Sequence, residues 1–105
     1  MDQHKVSLLK KYNVTALKKE ALIEHLLAFS SKLTEKEDGT EIFIVSSSPT
    51  DENVVFIYKV YASEEARTLH ENSDAYIQYR CEINNLVDGL PEITFLTPHG
   101  GKGLV

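Results

Sequence analysis

The side chains in this sequence with the clearest capacity for chemistry are one histidine, four tyrosines and two cations. His70 follows Ala66 by four residues, so the two share one side of a helix. An imidazole with an ordinary pKa of about 6.5 can take a proton at neutral pH. Equally open is a buried, hydrogen-bonded histidine that orders the helix junction ahead of Ser73. Tyr58, Tyr61, Tyr76 and Tyr79 can hold an aromatic ligand by stacking and phenolic hydrogen bonds, or can fill a core and an interface. Arg80, one turn after Tyr76, can hold an anionic oxygen or make an exposed salt bridge. Lys59 interrupts an apolar strand, where burying an ammonium alone is costly. It must therefore reach an acid, a ligand or a water-filled edge of an interface.

Other residues carry less. His25 lies on the polar side of its helix and His99 in a glycine-rich tail, and neither has metal-ligand spacing with another histidine. Cys81 is the only cysteine, so neither a disulfide nor a thiolate zinc site forms within one chain; it reads as a small core residue. No metal is expected. The run Gly100-Gly101-Lys102-Gly103 lacks the spacing of a phosphate loop and no helix follows it. It reads either as a mobile tail or as a segment folded over a cavity or across a partner.

The elements that must position these groups follow from periodicity. Residues 5–14 alternate imperfectly around Val6, Leu8, Leu9, Tyr12 and Val14 and predict a strand. Leu22, Leu26, Phe29 and Leu33, widened by Ala21, Ile23 and Leu27, predict an amphipathic helix from an N-cap at Thr15 to a stop before Gly39. After the Asp38-Gly39 turn come strands at 41–47 and 54–61, joined by the turn formers of 48–53 as a hairpin. Ser63 opens a helix with Ala66, Leu69, His70 and Ser73 along one side, and a second helical stretch at 74–88 carries Tyr76, Tyr79, Ile83 and Leu86, with Gly89 as its C-cap. Beyond Pro91, residues 93–96 form a last strand. The order βαββαβ is the split βαβ arrangement, an α+β fold with four antiparallel strands covered on one face by helices.

At 105 residues the chain makes one domain, with a glycine-rich tail at 98–105. Hydrophobic residues at 42% and charged residues at 26% suggest neither a disordered nor a membrane class, and the longest apolar stretches are too short to span a bilayer. The first residues lack a basic segment followed by an apolar one, so a cytoplasmic location is expected. A net charge of −5 without any block of Lys or Arg argues against nucleic acid as a partner.

Strand 54–61 also predicts a partner. Val54, Phe56, Tyr58 and Val60 fall on one face, and Val55, Ile57, Lys59 and Tyr61 on the other, so both faces are largely apolar. The helices suffice for only one. Leaving the other bare would expose several large side chains, each costing about 1.5–3 kcal/mol relative to burial. A homodimer packed sheet to sheet into an α+β barrel is the simplest remedy.

The segment from Ser63 through Glu64-Glu65-Ala66 to His70 and Ser73, placed after the strand that ends in Tyr61, resembles the signature of the antibiotic biosynthesis monooxygenase family. The Gly39 turn, the Ser-Pro-Thr-Asp loop and the closing Pro98-to-Leu104 stretch are similar to that family too, so the likeness runs over nearly the whole chain. It implies a dimeric ferredoxin-like fold and a cofactor-independent monooxygenase acting with O2 on a small aromatic or quinol-type compound, in a cavity between sheet and helices. In that reading His70 is the base, and the tyrosines, Arg80 and Lys59 position the substrate. The alternative is a non-catalytic ligand-binding or stress-related module of the same fold. Family members commonly have Glu where Lys59 stands and Trp where Tyr61 stands. With no Trp in the chain, the haem-degrading branch is not implied.

Overall fold

The computed structural model describes residues 4–36 and 39–103. Its elements are β1 (Val6–Asn13), α1 (Ala16–Lys36), β2 (Thr40–Ser47), β3 (Val54–Tyr61), α2 (Glu64–Glu71), α3 (Asp74–Ile83) and β4 (Glu92–Leu96). The four strands form one antiparallel sheet in the order β2-β3-β1-β4, the ferredoxin-like arrangement expected from the element order. Asp38 of the expected turn and the last two residues of the tail lie outside the described residues.

Register divides the side chains between two faces, because directly paired residues point the same way. Leu8 pairs with Lys59 and Phe95, Lys10 with Ile57 and Ile93, and Tyr12 with Val55. These residues, with Phe43 and Val45 of β2, face the helices. Leu22, Leu26, Phe29 and Leu33 of α1 are buried against them, as their spacing predicts. The opposite face carries Leu9, Ile42, Ile44, Phe56, Tyr58 and Leu96, and no helix covers it. Ile44 is 51% and Leu96 44% exposed there.

Local hydrogen bonds fix the connections. In the hairpin loop the Ser48 hydroxyl accepts from the N–H groups of Thr50 and Asp51, and the Asp51 carboxylate accepts from Asn53 N–H. Asn53 then ties β3 to the end of β1: its carbonyl accepts from Val14 N–H and its side-chain amide donates to Val14 O. Gly39 is required by close approach. A Cβ built there would lie 2.7 Å from Cβ of Ala66, so β2 could not enter the sheet beside α2 with a larger residue.

Four expectations need correction. The last helix ends at Ile83, not near residue 88, because Leu86 N–H closes a turn on Ile83 O and Asp88 N–H donates to Asn13 O at 2.7 Å, drawing the chain onto β1. Asn84 and Asn85 favour that turn over another helical one. Gly89 sits beyond it at a φ of 74°. Cys81 is exposed, since the inward positions of α3 are Tyr76, Tyr79 and Ile83, and a residue two steps from each of the last two points away. Leu69 is 75% exposed for the same reason, sitting beside the buried His70. Leu27 likewise falls outside the buried stripe of α1.

Candidate functional site

A cavity of about 850 Å3 opens between α2 and α3 on one side and the β1–β4 half of the sheet on the other. Its wall includes Lys10 and Tyr12 of β1, Tyr76 and Arg80 of α3, and Ile93 and Phe95 of β4. Arg67 and Glu71 of α2 lie at its edge together with the 87–91 connection. Apolar and aromatic surface with a few convergent polar groups is the usual make-up of a small-molecule site.

The polar groups are built in from three elements. Lys10 is 5% exposed, and its ammonium donates to the Tyr76 hydroxyl at 3.2 Å. Burial opposes the charge on Lys10, but the phenol oxygens of Tyr12 and Tyr76 outweigh it and hold its pKa above the ordinary value. Tyr12 and Tyr79 share a buried hydrogen bond of 2.5 Å between their hydroxyls. Burial pushes both phenols up; the Lys10 ammonium partly offsets this at Tyr12, while Tyr12 adds to it at Tyr79. At the edge, Arg67 bonds Glu71 at 3.0 Å, pairs with Glu64, and lies 5.4 Å from the Phe95 ring centre.

Tyr76 is the most constrained member. Its backbone N–H is accepted by the Ser73 hydroxyl, which caps α3 and itself donates to His70 O at 2.8 Å. Its ring meets His70 edge-on at 4.9 Å and Tyr79 at 5.4 Å. Ser63 caps α2 in the same way through Ala66 N–H. The serines and the alanine of the signature thus act structurally: two caps and the contact with Gly39 set the angle at which α2 and α3 deliver Tyr76 to the cavity.

Of the residues singled out from sequence, Tyr76 and Arg80 line the cavity, Arg80 exposed at its mouth with its guanidinium 5.9 Å from the Tyr76 ring centre. His70 is 1% exposed and stands behind Tyr76, packed against Phe29 and Tyr61, and is not in the wall. Tyr61, Tyr79 and Lys59 are buried in the same layer: Tyr79 stacks on Phe29 at 4.3 Å, and the Lys59 ammonium lies 5.1 Å from the Tyr76 ring centre and 5.5 Å from that of Phe43. Tyr58 is on the uncovered face of the sheet, away from the cavity. Residues 99–103 are exposed, and no described residue of the tail lines the cavity.

Lys10 is the residue that sequence reasoning missed. Its signal was present: Leu8, Lys10 and Tyr12 alternate on one face, so a lysine stands between two inward-facing residues of a central strand. Among the described residues no three His, Cys, Asp or Glu side chains converge as a metal site requires, and no helix is long and apolar enough to cross a membrane.

A sequence profile described as antibiotic biosynthesis monooxygenase matches residues 6–80. Among solved structures, a candidate antibiotic biosynthesis monooxygenase from Caulobacter crescentus superposes with a TM-score of 0.88 at 21% identity, covering 93% of this chain and 92% of that one. One from Chloroflexus aurantiacus gives 0.82 at 23% identity, covering 96% and 99%. One from Nitrosomonas europaea gives 0.86 at 16%, covering 98% of each chain. Identities this low establish a shared fold. No curated protein sequence matches the chain.

Proposed function

The chain belongs to the antibiotic biosynthesis monooxygenase family, and from that membership we propose that it oxidises a small phenolic or quinol-type compound with molecular oxygen, inside the cavity between α2, α3 and the sheet. The observation that carries this reading is the cavity itself: about 850 Å3, walled by Tyr12, Tyr76, Ile93 and Phe95, with a buried ammonium and a phenol hydroxyl directed into one layer. In this chemistry the substrate supplies the electrons. Its anion gives one electron to O2, the resulting radical and superoxide combine at a ring carbon as a peroxide anion, this takes up the proton lost when the substrate ionised, and loss of water from the hydroperoxide leaves a carbonyl where a C–H stood. The protein then needs only to hold the anion, orient the ring and exclude water. Tyr76 and Lys10 meet the reacting oxygen, and His70 acts through Tyr76 as a positioning residue, since it touches that ring from outside the cavity.

The bare sheet face supports a homodimer in which a second copy covers Leu9, Ile42, Ile44, Phe56, Tyr58 and Leu96. One observation favours the second reading, a ligand-binding module without turnover: among the described residues the only histidine near the cavity is tightly packed outside its wall, and the one carboxylate of the lining, Glu71, is engaged by Arg67. Oxygen uptake with a panel of hydroquinones and polyphenols separates the two. Uptake well above buffer, with one oxygen atom retained in the product, supports the oxygenase. Binding of the same compounds without uptake supports the module.

A further inference from the structure

The charge inside the cavity is opposite to that of the chain. The protein carries a net −5, yet the ionisable aliphatic groups of the wall are Lys10, Arg67 and Arg80 against a single carboxylate, Glu71, which is already bonded to Arg67. Lys10 is the deepest of the cations, at 5% exposure on the central strand β1. The polar neighbours of its ammonium are two phenols, Tyr12 and Tyr76, a residue type uncharged at neutral pH, and among the described residues no carboxylate pairs with it. These phenols stabilise the ammonium as dipoles but bring no counter-charge, so an anionic ligand oxygen would form a full charge pair with it in a partly dry site. An ammonium has three donors; Tyr76 takes one and Tyr12 is placed to take a second, so one remains for a ligand oxygen.

We propose that Lys10 and the Tyr76 hydroxyl form an oxyanion site that selects ligands as phenolates, binding one ionised ring oxygen at the sheet end of the cavity. The choice of a phenolate over a carboxylate follows from the donor set. A single point-charge ammonium beside one hydroxyl suits one oxygen, whereas a carboxylate is best met by the two-pronged fork of an arginine. Arg80, exposed at the mouth, can steer an anion inward, whereas Arg67 is already paired with Glu64 and Glu71. The aromatic walls, Tyr12 and Phe95 among them, fit a flat ring attached to that oxygen. The aromatic nature of the ligand rests on the oxygenase reading above; the anion rests on the geometry alone.

The test is equilibrium binding of 4-nitrophenolate, followed by its absorption, against its neutral methyl ether 4-nitroanisole and against 4-nitrobenzoate, using the full chain in wild-type form and as Lys10→Met. The expected result is that wild type prefers the phenolate to the ether by about tenfold to a hundredfold, the range for a charge-assisted hydrogen bond. Lys10→Met erases that preference without weakening the ether. Tyr76→Phe, which keeps the cation and loses only a hydroxyl, is expected to lose several-fold of the same preference and serves if the Met variant does not fold. An unchanged phenolate preference in these variants, equal binding of ether and phenolate by wild type, or tighter Lys10-dependent binding of the benzoate would each overturn the assignment. No oxygen is consumed in this assay, so it succeeds or fails separately from the monooxygenase reading.

Discussion

Replacing Ile44 by aspartate is expected to leave each chain folded and to take the proposed dimer apart. Ile44 lies on β2 on the uncovered sheet face, paired with Tyr58, and is 51% exposed within one chain, so it contributes little to the monomer's own core. Full burial of an isoleucine is worth about 1.5–3 kcal/mol, so roughly half of that is available to a partner at each Ile44. A two-fold interface presents the residue from both copies, which makes the lost apolar burial about 1.5–3 kcal/mol per dimer. Each aspartate would also have to be desolvated in an apolar interface, at a further cost of roughly several kcal/mol per charge. The combined penalty exceeds about 4 kcal/mol, a weakening of the dimer by roughly a thousandfold or more. Sedimentation equilibrium over a range of concentrations reads this directly, with circular dichroism to show that the fold survives. A variant that remains dimeric at the concentrations where wild type does, or a wild type that is already monomeric, would refute the placing of the interface on this face.

Gly39→Ala is expected to destabilise the chain by about 1–3 kcal/mol in a denaturant titration, because its Cβ would meet Cβ of Ala66 at 2.7 Å and β2 or α2 must shift. Ser73→Ala should cost about 1 kcal/mol, through loss of the α3 cap, and should also alter the near-ultraviolet dichroism of the tyrosines, since the cap seats Tyr76. Tyr79→Phe should cost roughly 1 kcal/mol or more, through the buried bond to Tyr12. The alkaline limb of stability has a fixed sign. Tyr12, Tyr79 and Lys10 all have folded-state pKa values raised above the unfolded ones, so the folded state binds more protons and their contribution, complete below about pH 10, is lost as pH rises beyond it. Tyrosinate absorption should accordingly show Tyr12 and Tyr79 ionising only together with unfolding; ionisation of all five tyrosines in the intact fold would contradict this.

The order and type of the elements were legible because each carries a simple period: β-branched and aromatic alternation in β3, and the 4-3-4 spacing of α1 over Leu22, Leu26, Phe29 and Leu33. The division of β3 into a face with Tyr58 and a face with Lys59 and Tyr61 followed from the pleat alone. What was not legible depends on tertiary contacts. The early end of α3 is set by a hydrogen bond from Asp88 to Asn13, seventy-five positions earlier in sequence, which no local propensity reports. The exposure of Cys81 and Leu69 depends on which stripe of a short helix turns inward, and in α2 that stripe is fixed by Ala66 against Gly39. His70 read as an inward residue, and it is buried, but sequence could not say whether it faces a cavity or stands behind the wall. Lys10 is hard to single out because the alternation that marks β1 lies in its apolar positions, whereas the residue that reaches the cavity is the cation among them.

Where an aromatic ligand sits is read most directly by mapping amide chemical shifts on isotopically labelled protein titrated with a hydroquinone under anaerobic conditions. The prediction is that the largest changes fall on Lys10, Tyr12, Tyr76, Ile93 and Phe95, the two sides of the cavity. Changes concentrated instead on Leu9, Ile44, Phe56 and Tyr58 would place the ligand on the opposite face of the sheet and contradict the assignment of the cavity as the site.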